Sequence, residues 1–519
     1  MYKSLSCALI AVTVSASAAA TNPLAARAAD GLANTLISLV GGSGAKGVRS
    51  ADEMATARHY AALVAAPHAR MAELTMFMTQ MPKGGDLHHH YSGAIYAEQY
   101  LDWVGKQGYC VDKSSYRIET RKEAIDAQRA LPAASRSCLS AAEMLADELN
   151  YREMLQRWSS KDFYNHGAIQ SPPDTQFFQT FGYFGPVSNA NFNDGLQELK
   201  KRAIAENVGY IETMFKNTPF VQDADFDARV QQALADDAAL NGALEAKADA
   251  LAKDGAFQQR LGEYVSKIDA AGAGIDDERF TMRYQAYVVR LMAPSMVYSS
   301  LLSAFEAASR NPLVVGVNIV GAENNAVSMR DYALHMKMFR FLHARYPKVK
   351  LALHAGELAL GMVPPEGLSF HIEQAIKVAG ASRIGHGMDL AHESDVLGIL
   401  QTMREKDIPV EINLTSNDFI LGIKDQAHPV TLYRRYGVPF VISTDDAGVS
   451  RNNLSNEYVL YASRYQPDYA EIKKLSYNAL RYAFLTEPER KRLSAQLDER
   501  YAKFEAAIAA LERHFPAKR

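Results

Sequence analysis

The chain is 519 residues long, 48% hydrophobic and 22% charged, with a formal net charge of −3. Those proportions are ordinary for a globular protein with a large core. The near balance of charge supplies no basic field for nucleic acid or anionic lipid, which leaves a small molecule as the expected partner.

Residues 1–20 read as a secretory signal: Lys3 is followed by the apolar run ALIAVTV and then by the small residues SASAAA. No later apolar run approaches the ~20 residues of a membrane span. The expectation is therefore an exported protein, periplasmic or secreted, with no membrane anchor. Residues 21–50 are rich in Ala, Gly and Ser and read as a flexible lead-in. Tyr60, Leu63, Val64, Met71, Leu74 and Met78 follow at helical spacing, so 51–80 is predicted to be a helical arm.

From residue 81 the pattern changes to short apolar, β-branched segments separated by helical stretches. Strands are predicted at 85–88, 208–215, 282–289, 313–320, 349–354, 383–386, 408–413 and 438–443. Helical patterns fall between them, for instance at 329–346, 371–379 and 394–406. Strands alternating with helices pair in parallel, and eight such units close a (β/α)8 TIM-type barrel. An open doubly wound sheet is the competing architecture, but no Gly-rich phosphate fingerprint follows the first strand. Two segments exceed a minimal barrel, at about 107–171 and 223–277. The second is Ala-rich and acidic, with two long helices expected at 227–253 and 257–270. Loss of the signal removes Cys7 and leaves Cys110 and Cys138, 28 positions apart among polar residues. They read as one disulfide closing a surface loop, with two unrelated buried thiols as the alternative.

Barrel sites form at the C-terminal ends of strands, so those ends are read as a set. The first ends in His88-His89-His90, and residues two apart in a strand share a face, so His88 and His90 aim together while His89 points away. Two imidazoles on one side suit zinc. The fifth runs into His354-Ala355-Gly356-Glu357, the sixth ends Gly385-His386-Gly387 and the eighth ends Thr444-Asp445-Asp446. Adjacent carboxylates at an apolar strand's end repel one another unless a cation or donor lies between them. Each motif has a plainer reading: a satisfied core histidine for His354, a helix N-cap for Asp445-Asp446, an exposed loop charge for Glu357. Four motifs at four strand ends favour a joint site.

In this order the motifs resemble the adenosine deaminase family of the amidohydrolase superfamily. Met81-Pro82-Lys83-Gly84 leading to His88-His89-His90, then Leu353-His354-Ala355-Gly356-Glu357, Arg383-Ile384-Gly385-His386-Gly387 and Ser443-Thr444-Asp445-Asp446 carry the likeness. The lead-in, the leader and the cysteine-bearing segment are similar to the secreted growth-factor-related branch. The resemblance implies one zinc ion per chain, held by His88, His90, His354 and Asp445. Glu357 would protonate purine N1, and His386 would orient and help deprotonate the attacking water. Asp446 would accept a hydrogen bond at N7, and the backbone N–H of Gly321 would meet N3. Phe178 and Phe181, in the cluster 177–181, resemble the helix that covers the base, although they also read as ordinary helix–barrel core. Ser92 stands where many members carry Asp for the ribose 5′-hydroxyl, and Glu212, near a strand end, is a candidate to take over sugar binding. The implied reaction is hydrolytic deamination of adenosine or 2′-deoxyadenosine, with another adenine derivative or a non-catalytic secreted signalling protein as alternatives. A homodimer through the arm and the additional segments is implied by the same resemblance.

Overall fold

A computed structural model describes residues 50–65, 68–165 and 171–515. The expected signal (1–20) and the lead-in up to residue 49 lie outside the described residues.

Eight parallel strands form one sheet in the order β1-β5-β6-β7-β8-β9-β10-β11. They are β1 Asp86–His90, β5 Tyr210–Asn217, β6 Thr281–Val289, β7 Val314–Val320, β8 Lys350–Ala355, β9 Arg383–His386, β10 Val410–Ile412 and β11 Phe440–Ile442. All eight fall on the predicted segments. Consecutive strands lie side by side, as β-helix-β units dictate. Just beyond β11 a parallel bridge between His89 and Asp445 meets β1. The His90 amide donates to the Asp445 carbonyl at 3.0 Å and the Asp445 amide to the His88 carbonyl at 2.8 Å, which closes the ring.

Helices cover the outer face, so the strands are buried on both sides and read as continuous apolar runs. In β8 only Lys350, at the entry, is exposed. Among the covering helices are Pro294–Arg310, Ala326–Arg345 and Val396–Glu405. The arm consists of two helices, Ala51–Val64 and Met71–Gln80. It packs against the last helix, Glu487–His514, where Phe77 meets Phe504 edge-on at 5.1 Å between centroids.

The segment after the first βα unit holds a small antiparallel sheet, β3-β2-β4, from β2 Cys110–Asp112, β3 Ile118–Glu119 and β4 Cys138–Leu139. Cys110 and Cys138 are disulfide-bonded, which decides between the two readings of those thiols. The Ala-rich segment departs from expectation. It carries three helices rather than two, Ala224–Gln232, Asp237–Lys253 and Gly255–Gly272. The break has a local cause: the Asp236 side chain accepts from the amides of Ala238 and Ala239 and starts a new helix there.

Candidate active site at the C-terminal mouth of the barrel

The strand ends bring the predicted residues together. His88 and His354 pack edge to face at 4.4 Å between centroids, and His88 and His386 at 4.8 Å. His90 Nε2 lies 3.2 Å from His354 Nε2 and 3.1 Å from Asp445 Oδ1. One ligand atom each from His88, His354, His386 and Asp445 lie within 4.8 Å of one another, as do those of His90, Asp445 and Asp446. His386 and Asp445 both adopt left-handed backbone, with φ of 65° and 60°, strained conformations that turn their side chains over the mouth. Gly385 is required beside them, since a Cβ there would meet His88 Cε1 at 2.8 Å. As expected, His89 faces away and bonds Thr213 through Nδ1.

Partners outside the cluster fix each ring. His88 Nδ1 bonds Glu411 Oε2 at 2.6 Å, and His354 Nδ1 bonds Asn318 Oδ1 at 2.9 Å. Ser416 Oγ donates to Asp445 Oδ2 at 2.7 Å. Each of those two imidazoles therefore points Nε2 at the centre, the arrangement seen when a histidine is held for a metal. His88 Nε2 is buried with no hydrogen-bond partner, and Asp445 stays charged among imidazoles. A cation answers both, so the donor set fits a metal ion, and neutral imidazole with carboxylate suits zinc-like ions.

Glu357 and Asp446 flank this centre. Burial, reinforced by the charges of Asp445 and Glu323, pushes the Glu357 carboxyl well above the usual carboxylate range. Burial and Asp445 do the same to Asp446, whose Oδ1 has no partner. Burial opposes the charge on Asp445, but the close approach of the His88 and His90 rings, at 3.4 and 3.1 Å from Oδ1, holds its pKa well below the ordinary value. The chain that carries His354 and Glu357 is clamped from behind. Glu323 accepts from the amides of Gly356 and Glu357 at 3.1 and 2.9 Å, and Arg290 Nη2 donates to the His354 carbonyl at 2.7 Å.

A cavity of about 280 Å³ opens above these groups, walled by Ser92, Phe177, Phe178, Phe181, Tyr287, Val289, Leu291 and Gly321. Gly321 has φ of 101°, a conformation that favours glycine. The three Phe residues lie on helix Pro173–Ser188 and line the cavity, and Phe177 is also packed into the core. Glu212 is a correction. It is the third residue of β5, near the closed end of the barrel, and is not a cavity residue. Its carboxylate pairs with Arg383, accepts from Gln285 and Tyr210, and receives the Phe484 amide. It is fully buried and committed to that network, with nothing left for a sugar.

Sequence reasoning missed Glu411, Asn318, Ser416, Glu323 and Arg290. A polar residue inside an apolar strand (Glu411 in β10, Asn318 in β7) was the available signal.

The eight-stranded parallel barrel carries its His/Asp centre at the C-terminal mouth, as the resemblance of the motifs implies. The adenosine deaminase family model matches residues 257–500 of this chain. The chain is 34% identical over 189 residues to adenosine deaminase of Enterococcus faecalis, covering 36% of this chain and 51% of that protein. Against adenosine deaminase of Serratia proteamaculans it is 29% identical over 259 residues, covering 44% and 74%. The matched stretch thus spans about half the length of the first of these relatives. The fold is shared with the N6-methyl-AMP deaminase of Arabidopsis thaliana, at 18% identity and TM-score 0.50 over 82% of this chain and 98% of that one. It is shared too with arabidopsis ADAL complexed with GMP, at 17% identity and TM-score 0.52 over 82% and 98%.

Proposed function

We propose that this chain is a zinc-dependent hydrolytic deaminase of an adenine nucleoside, adenosine or 2′-deoxyadenosine, releasing ammonia and the hypoxanthine nucleoside. The observation that carries the reading is a buried carboxyl, Glu357, whose proton burial favours, beside a cluster fit to hold a metal in a small apolar cavity. Hydrolysis at purine C6 needs a strong nucleophile and a proton for N1. A zinc ion held by His88, His90, His354 and Asp445 would supply the first, because it lowers the pKa of water from about 15.7 towards about 7. Glu357 supplies the second: burial retains its proton until N1 takes it. N7 of adenine carries a lone pair and no proton, so Asp446 must donate there rather than accept, and its raised pKa allows that. Phe177, Phe178 and Phe181 cover the base and exclude water, Gly321 offers its N–H to N3, and Ser92 faces the sugar end.

The cavity walls include no Lys or Arg among the described residues. A phosphate is most often met by such groups, so this favours a nucleoside over a nucleotide. The Cys110–Cys138 disulfide supports an oxidising compartment, periplasmic or extracellular.

The test is a panel of adenosine, 2′-deoxyadenosine, N6-methyladenosine, adenine and AMP, with purified protein carrying one zinc per chain. Adenosine absorbance should pass from the adenine to the hypoxanthine spectrum. No turnover of any member sinks the proposal, and turnover of AMP alone sinks the nucleoside assignment.

A further inference from the structure

Three buried side chains and one backbone amide run outward from His386, away from the cavity. Asn417 lies on helix Leu414–Leu421, and His428 precedes helix Val430–Tyr436. All three side chains are 0% exposed. The direction of each hydrogen bond can be read from the outer end. The Val430 amide can only donate, and it lies 3.0 Å from His428 Nδ1. That nitrogen therefore offers a lone pair, and the ring proton of a neutral His428 sits on Nε2. Burial keeps the ring neutral, lowering its pKa to about 3. His428 Nε2 then donates to Asn417 Oδ1 at 3.1 Å, which turns the amide nitrogen of Asn417 to His386 Nδ1 at 3.0 Å. Asn413 Nδ2 approaches the same nitrogen at 3.4 Å. Turning Asn417 over would set its NH2 against the Nε2–H of His428, two donors face to face.

We infer that Asn417 and His428 are positioning residues that fix His386 as its Nε2–H tautomer, so that it presents a proton and not a lone pair to the cavity. Its Nε2 is buried without a hydrogen-bond partner and stands 3.6 Å from Glu357 Oε1. An Nε2–H imidazole has no site there to accept a proton. It can instead donate to the attacking oxygen as charge develops. That replaces the proton-accepting role suggested by the family resemblance. The kinetic consequence rests on the deaminase reading, whereas the tautomer does not.

Multiple-bond 1H–15N spectra of the full chain labelled with 15N-histidine test this, with His386 and His428 assigned by their loss in H386Q and H428Q. Both rings should show the neutral Nε2–H pattern in the wild type. In Asn417→Asp a carboxylate faces Nδ1, and the His386 proton should move to that nitrogen. Turnover in that variant should fall roughly 10- to 100-fold with KM and metal content little changed, as for other outer partners of metal sites. A wild-type His386 protonated on Nδ1 overturns the inference, as does an Asn417→Asp spectrum unchanged at His386. If Asn417→Asp does not fold, His428→Ala reads the same link. It frees Asn417 to rotate and should mix the two tautomers of His386, and an unchanged pattern there counts against the inference. Should the chain deaminate nothing, the spectra still decide the tautomer.

Discussion

Glu357 keeps its proton because burial removes water from the carboxyl and because Asp445 and Glu323 are already negative nearby. Glu357→Gln retains shape but cannot release a proton, so turnover should fall by about 10²–10⁴-fold, the usual worth of a positioned acid. Zinc content measured by atomic emission should stay near one per chain, and loss of metal would mean the roles are misassigned. Gly93 tests the opposite side of the cavity. A Cβ at that position would stand 1.5 Å from Asp446 Oδ1, so Gly93→Ala must displace the carboxyl proposed for N7. Activity should drop sharply while circular dichroism stays native; full activity would remove Asp446 from the site. At this scale the sequence was legible wherever a polar residue followed an apolar strand, as at His354 or Asp445. It was misleading at Glu212, because a strand's end cannot be told from its beginning without the strand's length. Asn318 and Glu411 stood out only as polar residues in apolar strands, and their partners, His354 and His88, lie on other strands of the barrel.

Strands β9 and β10 show how elements support the site from below. Arg383 in β9 donates to Glu411 Oε1 at 2.5 Å and also pairs with Glu212, while Glu411 holds His88. Glu411→Gln weakens that hold and leaves Arg383 with one carboxylate. Metal affinity, measured by chelator competition, should fall roughly 10- to 100-fold. An unchanged affinity would show that His88 is oriented by packing alone. In β1, Asp86 Oδ2 accepts from Thr444 Oγ1 at 2.6 Å, and burial raises its pKa to about 7 from an ordinary 3.8. The folded chain thus keeps this proton when the unfolded chain has lost it. The resulting stability is fully present below the unfolded value and is lost as pH rises towards about 7. The melting temperature of wild type relative to Asp86→Asn should therefore decline between those limits, and a constant difference would contradict the assignment. Strand positions were readable from apolar, β-branched runs, and all eight were placed. The Ala-rich helices were less so, because one capping aspartate, Asp236, outweighs a continuous helical composition.

Across the molecule, the disulfide-bearing segment reaches the cavity through the helix that carries the Phe residues. Arg117 Nη1 donates to the Gly182 carbonyl at 3.0 Å, and Gln176 Nε2 to the Gln156 carbonyl at 2.9 Å. Cys110–Cys138 bridges β2 to β4 across 28 residues, a constraint of the order of 2–4 kcal/mol on that segment. Reduction should loosen this wall rather than the barrel. The expected result is a raised KM with kcat little changed, alongside faster proteolysis within 107–171. A fall in kcat with KM constant would show that the segment does not act through the helix. None of this support was visible in the sequence, where nothing in composition ties Arg117 to Gly182 or Gln176 to Gln156.

The bridge between His89 and Asp445 would give the proposed metal centre a mechanical office. The residue offering a carboxylate to the cation is also the clasp where the last strand fastens to the first. A cation drawn to Asp445, as proposed, would therefore tighten the seam between the last strand and the first. Its removal should be felt first as faster hydrogen exchange at the amides of His90 and Asp445, before any helix on the outer face begins to open.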